Sequence, residues 1–172
     1  CILLDLIDVP DEFAIELMRA ARRVGATPLV EVRHTRINRE ITLGTNAEHA
    51  ALVREIELFR MKKVQAYIAV RGSLNANEGA DVPSERQSLY ARTLRPLLNY
   101  RVNKTRWVVL RWHSPSIAQA ANMSTEAFVD LYFAVCSMGY RKMATPNVAL
   151  PRRKSHRQRL RTKGPGSAPT LS

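Results

Sequence analysis

The chain has 172 residues, 45% of them hydrophobic, and carries 27 basic against 15 acidic residues, a formal charge of +12. This length buries a working core without covalent staples, and no run of eighteen apolar residues occurs, which excludes a membrane-spanning helix. The only cysteines, Cys1 and Cys136, lie far apart; they exclude a disulfide framework and read as reduced thiols of a cytoplasmic protein.

The charge is unevenly spread. All fifteen acids lie at or before Asp130, beside eighteen bases, so the first 130 residues are nearly balanced. The nine bases between Arg141 and Lys163 face no acid at all. The basicity belongs to the tail.

In chain order, Ile2–Ile7 is an aliphatic run that reads as a strand. Because it opens the chain without a Met or a basic lead, it is not a signal peptide, and the natural start is expected upstream. Asp8–Val24 follows as a helix with Phe13, Leu17 and Ala21 one turn apart. Pro28–Arg33 is the second strand, and Ala47–Lys63 the second helix, with Leu52, Ile56 and Phe59 on one face. Val64–Val70 is the third strand and Pro83–Leu98 the third helix. Arg106–Trp112 is the fourth strand, followed by a helix carrying Phe128, Leu131, Tyr132 and Val135 in register, with Cys136 expected as buried packing.

Asp8-Val9-Pro10 and Asp81-Val82-Pro83 each set a capping carboxylate before a first-turn proline, and Thr45-Asn46-Ala47-Glu48 has capping-box spacing. Gly25 stands where a helix C-cap glycine belongs. Strand and helix alternate four times, which predicts right-handed crossovers and an α/β three-layer sandwich with a mostly parallel sheet of at least four strands. Val64–Val70 and Trp107–Leu110, continuously apolar and free of proline, are expected at its centre. Residues 145–172 hold four prolines, no acid and no aromatic residue, and are expected to form a basic tail that does not order itself.

Open α/β sheets bind ligands beyond the carboxyl ends of their strands, here the loops Arg33–Asn46, Arg71–Asp81 and His113–Met123. In the middle one Arg71, Asn75 and Asn77 are the candidate cleft-lining residues; a hydrated surface loop is the plainer reading. No Gly-x-Gly-x-x-Gly, P-loop or Gly-x-Ser-x-Gly follows a strand. The histidines His34, His49, His113 and His156 lie in four separate segments, and Glu55 and Glu57 diverge on their helix, so no catalytic and no metal residue is assigned. The alternatives are a Rossmann-like nucleotide-binding module, or nucleic-acid binding through the tail, which lacks aromatic residues for base stacking.

Four segments, Asp8–Ile41, Arg60–Arg86, Tyr100–Trp112 and Ala118–Cys136, together resemble the thermophilic-type metallo-aminopeptidases, the family that includes aminopeptidases T and S. The resemblance runs from Ile2 to Ala144 and implies a two-domain, homodimeric, cytoplasmic exopeptidase with two divalent metal ions, zinc or cobalt. It implies that residues 1–144 are the N-terminal domain, truncated at its start. It also implies that 145–172 lie at the start of a second domain, which holds the metal ligands and the catalytic tyrosine beyond the end of this chain. This chain alone is then expected to be inactive, with peptides as the parent's substrates and no membrane or nucleic-acid partner. His113 departs from the family's usual proline, and the stretch after Ala144 departs from its acidic helix. Arg161-Thr162-Lys163-Gly164-Pro165-Gly166 looks like the family again, so a reading-frame disturbance or drift between Thr145 and Gln158 accounts for the departure.

Overall fold

The computed structural model describes residues 1–137 together with Leu160–Arg161 and Thr170–Leu171. It divides into two units, Cys1–Val129 and Asp130–Ser172. The basic cluster from Arg152 to Arg157, and the boundary expected at residue 144, lie outside the described residues. In the second unit the two short strands Leu160–Arg161 and Thr170–Leu171 pair antiparallel.

The first unit is an α/β fold around four parallel strands: β1 (Ile2–Ile7), β2 (Pro28–Arg33), β3 (Ala66–Arg71) and β4 (Arg106–Arg111), in the order β2-β1-β3-β4. Between them run α1 (Asp11–Arg23), α2 (Thr35–Gly44), α3 (Ala47–Lys63) and α4 (Ser84–Lys104); α5 (Pro115–Ala120) and α6 (Thr125–Cys136) follow β4. Strand neighbours alternate faces. On one face Leu3, Tyr67 and Ala69 pack with Met61 of α3 and with Leu97 and Tyr100 of α4. On the other, Leu6 and Val70 pack with Ala14, Phe13 and Leu17 of α1. Sheet between helices is the three-layer sandwich that the strand–helix alternation predicts.

Several local expectations change. The segments Arg33–Asn46 and His113–Met123 are not simple loops, since they contain α2 and α5. Trp107–Leu110 is not central, because β4 is the outer strand and Trp107, Val108 and Val109 are 43–51% exposed. The second central strand is β1, which pairs with β2 on one side and β3 on the other. An apolar run does not by itself give a strand's place in the sheet, and here β4 stands at the edge with residues of both faces exposed. Cys136 is exposed, as are Leu131, Phe133 and Val135 on the same helix, so apolar composition there does not bring burial.

Helix α3 is turned over relative to expectation. Leu52, Ile56 and Phe59 are exposed, while Ala50, Glu57 and Met61 face inward. The cause lies in the sheet beneath, whose face carries Asp5, Glu31 and Arg33. Arg60 on α3 reaches Glu31 at 2.6 Å and Glu57 at 3.3 Å. Glu57 and Arg60 thus meet the charges of the floor from the same side of the helix that buries Ala50 and Met61.

Asp5, buried in the central strand, is the focus of that floor. Arg33 of β2 lies 2.9 Å from its carboxylate, and from β3 both the Arg71 guanidinium and the Tyr67 hydroxyl donate to it. Burial pushes the Asp5 carboxyl up, but the Arg71 hydrogen bond, the charges of Arg33 and Arg71 and the Tyr67 hydroxyl outweigh it and hold it below its ordinary value. The Tyr67 phenol is pushed up to about 12 by burial and the Asp5 charge. Glu57 moves the other way, raised by burial and by Glu31.

Helix ends follow a pattern that the sequence only partly discloses. Asn46, not Thr45, caps α3, its side chain accepting from the His49 amide. Neither Asp8 nor Asp81 caps the helix that follows it. Gly25 has φ of 75°, the left-handed conformation that ends α1. At the carboxyl end of β3 the Gly72 amide donates to the Ile7 carbonyl at 2.7 Å, and a Cβ on Gly72 would run into the Asp8 carbonyl.

Two predictions follow from this core. The stability that Asp5 confers is fully present above the unfolded carboxylate value, about 4, and is lost as pH falls through its lower folded value. Glu57 has the opposite sign, so its penalty grows as pH rises from its unfolded value through its raised folded one. In urea titrations over pH, Asp5→Asn should flatten the acid limb and Glu57→Gln should gain on the parent above pH of about 5. An unchanged acid limb in Asp5→Asn would assign it to other carboxylates. Separately, Gly72→Ala should cost about 1–3 kcal/mol by overpacking. Gly79→Ala, where a Cβ meets nothing within 4 Å, should stay within about 0.5 kcal/mol of the parent in the same urea titration.

Candidate functional site

In a sheet ordered β2-β1-β3-β4, the chain departs to opposite sides from β1 and β3, so the crevice expected to receive a ligand lies between their carboxyl ends. Here backbone fills it. Gly72 lies against Ile7 and Asp8, and Asp8 itself takes a left-handed conformation with φ of 48°. Beyond it α1 begins with Pro10 as its cap and Asp11 and Glu12 in its first turn. A pyrophosphate at the start of α1 would meet the carboxylates of Asp11 and Glu12.

The Asp8 carboxylate turns toward α2. It accepts from the Thr35 hydroxyl at 2.6 Å and from the Thr35 amide at 3.3 Å, and lies 3.4 Å from Nδ1 of His34. Asp8 therefore anchors the start of α2 rather than that of α1. Asp81 likewise serves a distant element, receiving Nε of Arg39 on α2 at 2.8 Å. That hydrogen bond and the arginine's charge hold the Asp81 carboxyl below its ordinary range.

Held at its start by Asp8 and at its middle by Asp81, α2 forms one wall of a cleft of about 580 Å³ beside the crevice, using Thr35, Asn38, Arg39 and Thr42, which share a helix face. The loop from Ser73 to Ala80 forms the second wall, and Gln87, Tyr90 and Ala91 of α4 the third. The loop is internally braced. Asn75 accepts from the Asn77 amide at 3.0 Å and donates to Glu78 at 3.3 Å, the pattern of an Asx turn. Gln87 donates to the carbonyls of Gly79 and Val82 at 3.2 and 3.0 Å, and Ser116 donates to the Ser73 carbonyl.

Of the three candidate residues, Asn75 and Asn77 line this cleft. Arg71 does not line it: besides the Asp5 carboxylate, its guanidinium donates to the Asp5 carbonyl at 3.0 Å and to the Tyr67 oxygen at 2.7 Å. The register already contains the reason. Arg71 stands opposite Ile7, two residues beyond Asp5 on the same face, and a carboxylate within a central strand demands a cation from its neighbours. Sequence reasoning missed Asn38, Thr42 and Tyr90; the spacing of Ile37, Ile41 and Gly44 was the available signal for α2.

Among the described residues no group of three or more His, Cys, Asp and Glu comes together that could hold a metal ion. The described part of the chain does not fit one, and no reaction step is routed through a metal here. None of the described helices is long and apolar enough to cross a membrane.

No family model matches the sequence, and no curated protein matches it. Among solved structures, wild-type AmpT from Thermus thermophilus is similar with a TM-score of 0.55 and 21% identity, over 73% of this chain and 34% of AmpT. The chain thus spans about a third of AmpT's length, and the likeness is one of fold.

Proposed function

We propose that this chain is the N-terminal α/β domain of a metal-dependent aminopeptidase that removes N-terminal residues from peptides. The observation that carries the reading is the likeness to AmpT over most of the first unit. It is the fold expected from the four segments that resemble aminopeptidases T and S. In this reading a second domain holds two divalent metal ions, zinc or cobalt, which activate water and polarise the scissile carbonyl. The present domain contributes a wall of the substrate cleft, and the whole enzyme is a cytoplasmic homodimer. The tail plays no part as a nucleic-acid arm.

The division of labour is directly measurable. The 172-residue chain with added zinc or cobalt should give no turnover of aminoacyl-anilides. A product of the same gene extended to AmpT-like length should release the anilide, and a chelator should abolish that release. Metal-dependent turnover by the short chain, or an extended product without exopeptidase activity, would contradict the assignment.

A further inference from the structure

The cleft between α2 and α4 has an uneven distribution of committed and uncommitted groups. Its one cation, Arg39, is bound by Asp81 and Glu40, while Glu78 keeps its charge and accepts a hydrogen bond from Asn75. Among the described residues, what remains without a protein partner on its walls is neutral. These groups are the carboxamides of Asn38 on α2 and Asn77 on the loop, and the hydroxyl of Tyr90 on α4, which makes no hydrogen bond to the described residues but is half-buried and feels the charges of Arg33, Glu57 and Glu31. Each of the three walls offers one such group. A carboxamide carries two donors and an acceptor with two lone pairs, which is the chemistry of the peptide bond itself.

We propose that this cleft binds the main chain of a neutral, extended peptide, with Asn38 and Asn77 exchanging hydrogen bonds with successive peptide groups and Tyr90 bonding a carbonyl from the third side. The proposal deepens the peptidase reading, on which it rests for the choice of peptide over other neutral ligands. It adds a place where substrate residues away from the scissile bond are held without regard to their side chains. A volume of about 580 Å³ is within the range of ligand pockets and suits a short segment. Anionic ligands are disfavoured because the one cation on the walls, Arg39, is already paired with two carboxylates and would not repay their desolvation.

The test uses the 172-residue chain and a blocked peptide, N-acetyl-Gly-Ala-Ala-Gly-amide, which has no free terminus and cannot be a substrate. Titration followed by amide and side-chain NMR should give saturable shifts at Asn38, Asn77 and Tyr90, little changed between about 0.05 and 0.5 M salt because no charge is involved. The double substitution Asn38→Leu with Asn77→Leu should weaken binding at least about fivefold at an unchanged melting temperature, and Asn38→Gln should retain it. Maltotriose and adenosine serve as the other probes. Saturable binding of either at these residues without peptide binding, or no saturable peptide shift at all, overturns the proposal. Neither result touches the peptidase reading, which stands or falls on turnover by the extended chain. Peptide binding that survives the double substitution equally overturns the assignment of these residues.

Discussion

A single carboxylate in the middle strand organises this domain. Asp5 is buried where the sheet is most enclosed, and an unpaired charge there would cost several kcal/mol. Its compensation comes from both sides: Arg33 from β2, and Arg71 with Tyr67 from β3. The pairing ties three adjacent strands through side chains in addition to their backbone ladder. It works only in one register, since a one-residue slip would turn Arg71 to the opposite face. The side of α3 that lies down on this face brings Glu57 and Arg60 to its charges together with Ala50 and Met61, and leaves Leu52, Ile56 and Phe59 outside.

The candidate site inherits its geometry from this arrangement. Arg71 is the last residue of β3, and the loop that carries Asn75 and Asn77 begins immediately after it. Gly72 lies against the Asp8 backbone, so the loop cannot collapse into the crevice between β1 and β3 and is displaced toward α2 and α4. Asp8 and Asp81, which the sequence presents as ordinary helix caps, instead hold α2 at its start and along its length. An open sheet that would commonly seat a ligand at its switch point here offers an adjacent cleft between α2, this loop and α4.

Much of the fold was legible because it depends on local pattern. The bounds of β1, β2 and α3 match the aliphatic runs and periods that define them, and Gly25 ends α1 where its position implies. What was not legible depends on partners distant in sequence. The inward face of α3 cannot be chosen from its own residues, because Leu52, Ile56 and Phe59 make a better apolar stripe than Ala50 and Met61. The choice is made by Asp5, Glu31 and Arg33 on other strands. Arg71 looked like a cleft residue because strand ends usually carry them, while its true partner lies 66 positions away. Helix α2 was hidden within a polar stretch whose cap, Asp8, is 27 residues distant.

The account's central claim is that Asp5 and Arg71 stabilise one another beyond what Arg33 and Tyr67 supply to either. A double-mutant cycle tests it most directly, with Asp5→Leu, Arg71→Met and the double variant compared in urea at neutral pH. Each single variant should be destabilised because it removes the other charge's main partner, and the double variant should recover a large share of the loss, with a coupling of about 2 kcal/mol or more. Additivity to within about 0.5 kcal/mol would contradict it and would mean that the sheet does not depend on this pair.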